Sequence, residues 1–421
     1  MSKKINDKTG KTNNKLNIKR SSSFKILDER TRSQLKASVE IYQKRFRELI
    51  SVPDMEKIKG NASKIREEDL KRAPELWDSA ISRLKGNGVD IHYANNNKEA
   101  IRILNGLLRD KNHIVKSKSN LLNEIGLQNI SGKKIVETDI GDWLVQEMGT
   151  VRIHPNAPAM GLTLKEISVF LRKKYKLKIK ETAEVITKEI SKIIRNEIFC
   201  AEVGLTGANF VTSEGHIVIV ENEGNISLVT RVPKIHIAVV AYHRIVETLE
   251  KAVYLSKCLS MFGTGKRSTA YINIISSPSY TTDIEKRVIH NAQGAEEVHL
   301  VIVDNNRSNL LKNDKLRQAL NCIGCGACML HCPVSKVAGP NFGGSYQGGI
   351  GIVFSHSICK ENVNIANGLF ACLNCEMCEE ICPVGAKIGS NIRNIRGVTK
   401  SKIGQNVLKK ILKNRQYSYN K

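Results

Sequence analysis

The sequence predicts an α/β domain with a largely parallel sheet, followed by a domain of short helices organised around cysteines. Between about residue 130 and residue 310, short β-rich runs alternate with helical patterns, which is typical of an α/β layer. Further along the chain, nine of the 11 cysteines fall between Cys322 and Cys382. Hydrophobic residues make up 41% and charged residues 25% of the 421 positions, so the chain can build a sizeable core.

The first part of the chain is predicted to be a tail and a helical region. Residues 1–24 are rich in Lys, Asn, Ser and Thr, which indicates a flexible basic tail. From Leu27 to about Leu122 the pattern is helical. In Arg30–Ile50 and Lys98–Arg109, apolar residues recur at spacings of three and four, as on one face of a helix. This helical region and the α/β part together are assigned to residues 25–310.

The α/β part is predicted from its alternating elements. Five runs are expected to form strands: Lys134–Glu137, His216–Val220, Ile235–Tyr242, Tyr271–Ile275 and Val298–Asp304. Three helices are expected among them: Thr163–Lys174, Glu181–Ile198 and Val246–Leu259. Because strands that alternate with helices usually pair in parallel, we expect a largely parallel sheet.

Two cysteine runs dominate the region after the sheet. The first, NCIGCGACMLHCPV, carries Cys322, Cys325, Cys328 and Cys332, and the second, ACLNCEMCEEICPV, carries Cys372, Cys375, Cys378 and Cys382. Each run has the spacing C-x2-C-x2-C-x3-C-P, which holds [4Fe–4S] clusters in bacterial two-cluster ferredoxins. Three thiolates on one tight turn can each reach one iron of the cubane, while the fourth iron needs a ligand from elsewhere. The runs therefore predict two [4Fe–4S] clusters.

The expected ligation is crossed, because the fourth cysteine of such a run binds the cluster of the other run. The two expected ligand sets are Cys322, Cys325, Cys328 and Cys382 for one cluster, and Cys372, Cys375, Cys378 and Cys332 for the second. Zinc is the competing interpretation, since Cys-x2-Cys pairs also build tetrahedral zinc sites. A zinc ribbon, however, does not need a third cysteine two residues on and then a Cys-Pro, twice.

A 39-residue insert from Pro333 to Ala371 separates the two runs and contains a glycine-rich segment. The insert exceeds what a minimal ferredoxin carries and indicates the helical two-cluster module of electron-transfer subunits. This α-helical ferredoxin domain is assigned to residues 311–395, and a basic C-terminal tail to residues 396–421. The remaining cysteines are predicted to be buried thiols rather than ligands: Cys200, Cys258 and Cys359.

The net charge of +25 is concentrated at the two ends of the chain. Residues 1–24 carry a net charge of +6, and residues 383–421 carry +10 with no acidic side chain. Such a distribution attracts polyanions, anionic lipid or an acidic protein partner, and it also fits a solvated terminus that improves solubility. The charge therefore does not define a function.

The segment from Gly204 to Thr248 carries the candidate functional carboxylate of the α/β part. It shows two strands with glycines at their joints, and Glu214 lies just before a strand. Glu214 fits a nucleophile, a group that orients a ligand, or a turn residue that caps locally, and the residues alone favour the turn role. The histidines of the segment are interpreted as ordinary strand and helix-start residues: His216, His236 and His243.

Taken together, these residues resemble the lactate utilization protein B family, iron–sulfur subunits of a bacterial and archaeal L-lactate oxidation system. The resemblance covers about residues 100 to 395 and combines the cysteine runs with several upstream segments. Those segments are Val115–Ser119, Val136–Asp139, His154 with Ala157–Ala159, Gly204–Thr248, Glu296–Asn305 and Arg307–Ser308. The combination is specific, whereas the cysteine runs alone would not be.

The resemblance implies a LUD-type α/β domain, with a fold like the ribose-5-phosphate isomerase and CoA-transferase group, followed by an α-helical ferredoxin. It implies three partners: a Cys-rich subunit with CCG motifs, a second protein with the same α/β domain, and a respiratory electron acceptor. The overall reaction would be oxidation of L-lactate to pyruvate. The α/β domain is expected to dock the partner or to bind a small anionic metabolite, and Lys116, Lys118 and Glu214 form its candidate ligand site.

The predicted function is that of an accessory electron-transfer subunit in an L-lactate dehydrogenase-type oxidoreductase. An alternative within this class is a substrate such as a glycolate-like acid or a disulfide. A nucleic-acid-binding protein with structural clusters is a remote alternative, because only 5% of residues are aromatic and no RNP or helix-turn-helix signature is present.

A cytoplasmic location is expected, with peripheral contact at an anionic membrane surface as the alternative. No apolar run approaches the ~18 residues of a transmembrane helix, and the first 24 residues contain no apolar segment for secretion. Clustered thiols also favour a reducing compartment. The basic tails are the feature that could rest on anionic lipid.

Overall fold

The computed structural model of the protein describes residues 24–49, 51–130, 132–359 and 368–399. The two predicted basic tails lie outside the described residues, except for Phe24 and residues 396–399. Residues 396–398 belong to the last described helix. Among the described residues, none of the helices has both the length and the hydrophobicity to cross a membrane.

Helices and strands alternate through most of the described chain, and only helices follow the last strand. The helices are α1 (Glu29–Leu49), α2 (Val52–Lys71), α3 (Ala73–Gly86), α4 (Asn97–Leu107), α5 (Asn120–Glu124), α6 (Ile140–Met148), α7 (Leu164–Tyr175), α8 (Ala183–Phe199), α9 (Asn225–Val229), α10 (Leu249–Thr264), α11 (Arg307–Leu311), α12 (Ala327–His331), α13 (Pro333–Ala338), α14 (Gly348–Ser357), α15 (Met377–Glu380) and α16 (Ile388–Val398). The strands are β1 (Asp90–Ala94), β2 (His113–Lys116), β3 (Lys134–Glu137), β4 (Val203–Gly207), β5 (Phe210–Thr212), β6 (His216–Glu221), β7 (Ile235–Ala241), β8 (Ile245–Val246), β9 (Tyr271–Ile275), β10 (Tyr280–Thr281), β11 (Ile289–His290) and β12 (Glu297–Val303).

The elements predicted within the α/β part are confirmed. All five expected strands are present as β3, β6, β7, β9 and β12, each within one residue of its predicted ends. The three expected helices are α7, α8 and α10. Helix α10 begins later than predicted because Val246 still belongs to a strand, and the Thr248 side chain then accepts the backbone N–H of Lys251 as an N-cap.

The prediction of a purely helical region from Leu27 to Leu122 is wrong at two places. Strands β1 and β2 lie within it and belong to the main sheet. They have only five and four residues, too few for a hydrophobic period to distinguish a strand from a helical turn. Strand β1 pairs with β12, and β2 pairs with β3 and β4. These neighbours supply the hydrogen bonds that make the two segments strands.

The main sheet has six parallel strands in the order β1-β12-β7-β4-β2-β3. Its central strand β7 is buried along its whole length, as expected for a parallel sheet with both faces covered. The expectation of a parallel sheet is therefore confirmed for this layer. Two of the predicted strands, β6 and β9, instead lie in a second sheet with the order β8-β5-β6-β9, where β6 pairs antiparallel with β5 and β9.

The cysteine-rich region packs as short helices against α1 and α10. Helix α1 buries Leu35, Val39, Tyr42 and Phe46, which recur at spacings of three and four and join one hydrophobic cluster with residues of α12, α13 and α14. Tyr42 Oη also donates to the carbonyl oxygen of Phe262 in α10, at 2.5 Å. The first long helix of the chain therefore supports the cysteine-rich region rather than the parallel sheet.

The glycine-rich part of the insert packs closely against its own chain. Gly343 has a φ of +126°, a conformation that side chains rarely tolerate. A Cβ atom at Gly351 would collide with the carbonyl oxygen of Tyr346. The glycines therefore allow helix α14 to begin directly beside the turn at Tyr346.

The strand order of the main sheet has one reversal, between β4 and β2. From β2 the chain continues to its outer neighbour β3, and it then returns to β4 on the other side of β2. Ligands in open parallel sheets bind outside the carboxyl ends of the strands at such a reversal. The residues that follow β2 and end β4, including Lys118 and Gly207, are therefore placed where a ligand would be expected.

Candidate metal centres and the cavity beside them

The first cysteine set gathers the first three cysteines of run one and the last cysteine of run two. Burial raises the pKa of Cys325, and the neighbouring thiols of Cys382 and Cys322 raise it further. Burial likewise raises the pKa of Cys328, and the thiols of Cys325, Cys322, Cys378 and Cys382 raise it further. The structure thus brings Cys382 to the thiols of the first run, across 54 residues or more of sequence.

The second cysteine set is the reciprocal of the first. Burial raises the pKa of Cys378 to about 12, and Cys332 and Cys372 raise it further. The pKa of Cys332 is raised by burial and by Cys372, and that of Cys372 by burial and by Cys375. The fourth cysteine of run one therefore lies near thiols of run two.

The two cysteine loops share one backbone geometry. In the first loop Gly324 and Gly326 have φ values of +78° and +80°, and in the second Asn374 and Glu376 have +53° and +61°. These residues occupy matching places, directly before and after the second cysteine of each run. Two left-handed residues give each loop the tight turn that brings the cysteines of a cluster-binding run to the same side.

The chemistry of the residues present fits a [4Fe–4S] cluster in each set. Each set offers four thiols, the donor set that such clusters take. The backbone N–H of Ala386 donates to Cys382 Sγ at 3.4 Å, a contact that stabilises thiolate charge. Among the described residues, no three His, Cys, Asp or Glu side chains lie close enough together to bind a single metal ion. A cubane does not require such a group, because each of its four irons takes one thiolate.

The three remaining cysteines differ in exposure. Cys258 is buried in α10, and burial raises its pKa to about 12, in agreement with the predicted inert thiol. Cys359 is half-buried at the end of α14. The prediction of a buried thiol is wrong for Cys200, which is exposed, because it follows the last turn of α8 on the outer side of that helix's buried isoleucine stripe.

A cavity of about 350 Å³ lies between the main sheet and the first cysteine set. The α/β part lines it with residues at the carboxyl ends of parallel strands: Lys118 beyond β2, Asp139 beyond β3, Gly207 at the end of β4, and His243 and Arg244 beyond β7. All four cysteines of the first set line the opposite side. The cavity therefore joins the strand reversal to the first candidate metal centre.

Of the three residues in the predicted ligand site, Lys118 lines this cavity. Its Nζ lies 3.1 Å from Asp139 Oδ2 and 3.5 Å from Asp142 Oδ2. Burial opposes the charge of Lys118, but the two carboxylates outweigh it and raise the pKa of the ammonium. At the same end, burial and Asp139 raise the pKa of Glu223 to about 7. This end of the cavity is a compact group of paired charges.

The structure does not bring the other two predicted site residues to the cavity lining. Lys116 is buried in strand β2 and pairs with Glu137 of β3. Glu214 Oε2 accepts the backbone N–H of Leu249 at 2.8 Å, at the start of α10. Glu214 thus lies in the turn between β5 and β6, but its carboxylate caps the start of a distant helix rather than its own turn.

Sequence reasoning missed the residues at the opposite end of the cavity. Arg244 was not singled out, and His243 was interpreted as an ordinary residue, yet both line the cavity beside the first cysteine loop. A Cβ atom at Gly324 would lie 2.9 Å from Arg244 Nη2. The available signal was position, because both residues follow directly on the most buried parallel strand, where binding residues collect.

A buried ion pair supports this end of the cavity from behind. Arg307 and Glu124 are completely buried and form a bidentate pair, with Nη2 2.5 Å and Nη1 3.0 Å from the carboxylate oxygens. Glu124 also accepts from Tyr346 Oη at 2.6 Å and from Asn305 Nδ2 at 2.7 Å. These charge-assisted hydrogen bonds lower the pKa of Glu124 in spite of its burial, and they connect the sheet to the cysteine-rich region.

Two protein-family profiles match the chain. The profile described as "LUD domain" matches residues 78–303, and the profile described as "4Fe-4S dicluster domain" matches residues 318–386. The first contains the whole six-stranded sheet, from β1 to β12, and the second contains both cysteine runs. The chain is therefore an iron–sulfur protein with a LUD-type parallel α/β domain.

Curated relatives match most of the chain. "Uncharacterized electron transport protein YkgF" of Escherichia coli (strain K12) is 32% identical over 354 residues, which cover 82% of this chain and 72% of that protein. "Lactate utilization protein B" of Geobacillus sp. (strain WCH70) is 32% identical, covering 83% of this chain and 73% of that protein. "Lactate utilization protein B" of Bacillus cytotoxicus is 30% identical, covering 91% and 80%.

One similar solved structure is the crystal structure of a DUF162 family protein from Deinococcus radiodurans. It covers 55% of this chain and 98% of its own, with 12% sequence identity and a TM-score of 0.31. The family assignment depends instead on the two profiles and the full-length relatives. On those matches, the chain belongs to the lactate utilization protein B family.

Proposed function

We propose that this chain is the electron-transfer subunit of a complex that oxidises L-lactate to pyruvate, and that it relays single electrons through two [4Fe–4S] clusters. The observation that carries the proposal is the pair of C-x2-C-x2-C-x3-C-P runs inside the matched 4Fe-4S dicluster domain, in which we expect Cys382 to bind with the first run and Cys332 with the second. The names of the relatives, which refer to electron transport and to lactate utilization, support the same function.

The clusters supply one-electron storage at low or moderate potential. The residues of this chain hold them and adjust their surroundings. The four thiols of each set are the ligands, and the Ala386 N–H that reaches Cys382 stabilises thiolate charge. Arg244, half-buried beside the first loop, would place a positive charge next to that cluster site, and such a charge favours the reduced, more negative form.

The positions of the two sets support a direction for the relay. The first set borders the cavity under the parallel sheet, and the second includes an exposed cysteine, Cys375. In our proposal, electrons enter at the cavity side and leave at the exposed loop, where a partner can approach closely. This direction is the simplest one for a chain that has one enclosed and one exposed centre.

The test is the iron and acid-labile sulfide content of anaerobically purified chain, with EPR spectra of the dithionite-reduced protein. About eight irons and eight sulfides per chain, with spectra of two interacting reduced [4Fe–4S] centres, is the expected result. Stoichiometric zinc without sulfide would overturn the proposal. Reduction of the clusters by L-lactate in the reconstituted complex, but not by glycolate, would assign the substrate, and the reverse would assign the alternative one.

For the partners, we propose a Cys-rich subunit with CCG motifs, a second LUD-domain protein, and a respiratory acceptor reached from the cytoplasmic face of the membrane. The family resemblance supports these partners, and the basic ends of the chain support contact with anionic lipid. Co-purification of the three chains from one expression host is the expected result. Sedimentation of the complex with anionic but not neutral vesicles would support the membrane contact, and equal binding to both would contradict it.

A further inference from the structure

The end of helix α7 and the segment that follows it are strongly basic. Residues 172–180 read RKKYKLKIK, so six of these nine side chains are basic, and no acidic residue occurs between Glu166 and Glu181. All six basic side chains are exposed, and together they form what we call the basic surface: Arg172, Lys173, Lys174, Lys176, Lys178 and Lys180. This surface belongs to the folded α/β part and is separate from the two basic ends of the chain.

The local structure holds the lysines of this surface on the solvent side. Helix α7 ends where Lys176 takes a left-handed conformation with a φ of +57°, and the chain continues without regular structure to Lys180. Leu177 and Ile179 alternate with the exposed lysines and pack against the hydrophobic cluster formed by α6, α7 and α8. Because these two apolar side chains are anchored in the core, the lysines between and beside them face solvent.

Four of the six charges have no carboxylate partner among the described residues. Arg172 Nη1 lies 2.9 Å from Glu181 Oε1, and Lys174 Nζ lies 2.6 Å from Glu147 Oε2. The ion pairs of the described residues include none of the other four lysines: Lys173, Lys176, Lys178 and Lys180. Like charges so close together repel one another, and a negatively charged partner would relieve that repulsion.

The basic surface also offers apolar contacts. It borders a shallow, open depression of about 600 Å³, along which basic and apolar side chains alternate: Arg172, Lys176, Leu177, Lys178, Ile179 and Lys180. On the outer face of α7, Val169 is 52% exposed and lies one turn before Lys173. A partner with negative charge at its surface and apolar groups beneath that charge would match both kinds of side chain.

The side chains favour a lipid surface over a nucleic acid. The four unpaired cations are all lysines, which act as point charges, whereas arginine is the residue that recognises nucleic-acid phosphates with a planar fork of donors. The aromatic rings of the segment, Phe170 and Tyr175, are half-buried, contact each other and are covered by Lys174 Nζ, so they are not free to stack on bases.

We propose that the basic surface docks on an anionic membrane surface, with the lysine ammonium groups donating to lipid phosphates and Val169 at the level of the headgroups. Four or more clustered lysines on an amphipathic helix and its flank are typical of contact with an anionic leaflet. The inference rests on the membrane contact within the proposed function and deepens it, because it assigns that contact to a folded surface in addition to the basic ends.

The test is co-sedimentation of the anaerobically purified, full-length holoprotein with vesicles. One set contains phosphatidylcholine mixed with phosphatidylglycerol, and the other contains phosphatidylcholine alone. The surface variant combines Lys173→Gln, Lys176→Gln, Lys178→Gln and Lys180→Gln. Each lysine near an anionic leaflet strengthens binding about fivefold, so the variant should bind the mixed vesicles about a hundredfold or more weakly than the wild type. Its iron content should not change, because all four side chains are exposed.

The matched control removes the same number of charges elsewhere. It combines glutamine substitutions at four exposed lysines outside the basic surface: Lys57, Lys98, Lys312 and Lys315. Its affinity for mixed vesicles should stay within about threefold of the wild type, since charges beyond a Debye length from the lipid are screened. The two variants have the same net charge, so equal losses in both would show general attraction and overturn the docking site.

The failures of the separate proposals are distinguishable. A wild type that binds mixed and neutral vesicles equally would overturn every membrane contact and leave the relay to the iron and sulfide analysis. Equal binding of mixed vesicles by the wild type and the surface variant would overturn this site and leave the contact to the basic ends. A surface variant that loses affinity for single-stranded DNA but keeps its affinity for mixed vesicles would overturn the lipid in favour of a nucleic acid.

Discussion

The two cysteine loops have the same winding and opposite surroundings. In the first, Cys325 is buried, as is Cys382, and Arg244 and Asn156 lie directly against the loop. In the second, Cys375 is exposed together with Asn374 and Glu376. The difference shows that the spacing of a cysteine run determines the loop, whereas the neighbouring elements determine what can reach the metal.

The residues in the left-handed positions reflect this difference. A Cβ atom at Gly324 would lie 2.9 Å from Arg244 Nη2, and one at Gly326 would lie 3.1 Å from Asn156 Nδ2. The covered loop therefore needs glycine for space as well as for conformation. The exposed loop needs only the conformation, and its Asn374 and Glu376 have room for side chains in solvent.

The largest expected effect comes from replacing the fourth cysteine of each run with serine. Cys382→Ser should remove the enclosed cluster although Cys382 belongs to the second run, and Cys332→Ser should remove the exposed cluster. Each variant should lose about four irons and one of the two EPR signals. Cys200→Ser, at an exposed cysteine outside both sets, is the control and should keep all the iron. If each variant instead lost the cluster of its own run, the crossed ligation would be wrong.

A smaller effect is expected when either of two arginines, one behind each loop, is replaced with methionine. Arg307→Met leaves the Glu124 carboxylate buried without its partner, which should lower the free energy of unfolding by about 3–5 kcal/mol. Arg396→Met, behind the second loop, removes hydrogen bonds to the carbonyl oxygens of Leu369 and Cys372 and to Asn374 Oδ1, leaves no buried carboxylate without a partner, and should lower it by about 1–2 kcal/mol. Urea unfolding of the anaerobic protein measures both. Equal losses would show that the enclosed loop does not depend more strongly on its surroundings.

The left-handed positions give a third, still smaller contrast. Gly324→Ala combines a left-handed alanine with a contact on Arg244, so we expect a loss of about 1–3 kcal/mol in unfolding free energy. Asn374→Gly, at the matching exposed position, should change it by less than about 1 kcal/mol because glycine accepts the same φ. Urea unfolding midpoints and iron retention check both variants. A larger loss for Asn374→Gly would contradict the contrast.

The smallest expected effect is a pH dependence at the cavity. The pKa of Glu223 is raised from 4.5 to about 7, so its protonated form is favoured in the folded state. The resulting stabilisation is complete below pH 4.5 and is lost as the pH rises towards 7. Relative to Glu223→Gln, the free energy of unfolding of the wild type should therefore fall by no more than about 1 kcal/mol across that range, because the side chain is exposed and solvent screens its charge. A difference in unfolding free energy between the wild type and Glu223→Gln that stays the same at every pH would contradict this expectation.

The sequence by itself determined the elements with strong local patterns. The sequence predicted five strands and the two cysteine runs, because a buried strand and a metal-binding loop each impose their pattern within about ten residues. The five strands are β3, β6, β7, β9 and β12. The crossed grouping of thiols also followed from the spacing, and it stays a prediction that the serine variants of Cys332 and Cys382 would test. Short strands such as β1 and β2 lacked enough residues for a period to emerge.

Only the tertiary structure decided which of these elements meet. Glu214 and Lys116 look as suitable as Lys118 in the sequence, yet only Lys118 follows a strand at the reversal of the sheet and lines the cavity. His243 and Arg244 lie about 80 residues before the first cysteine loop, and no local pattern predicts that they line the same cavity. The physical reason is that spacing along the chain fixes local geometry, whereas burial and strand order fix which charges become neighbours.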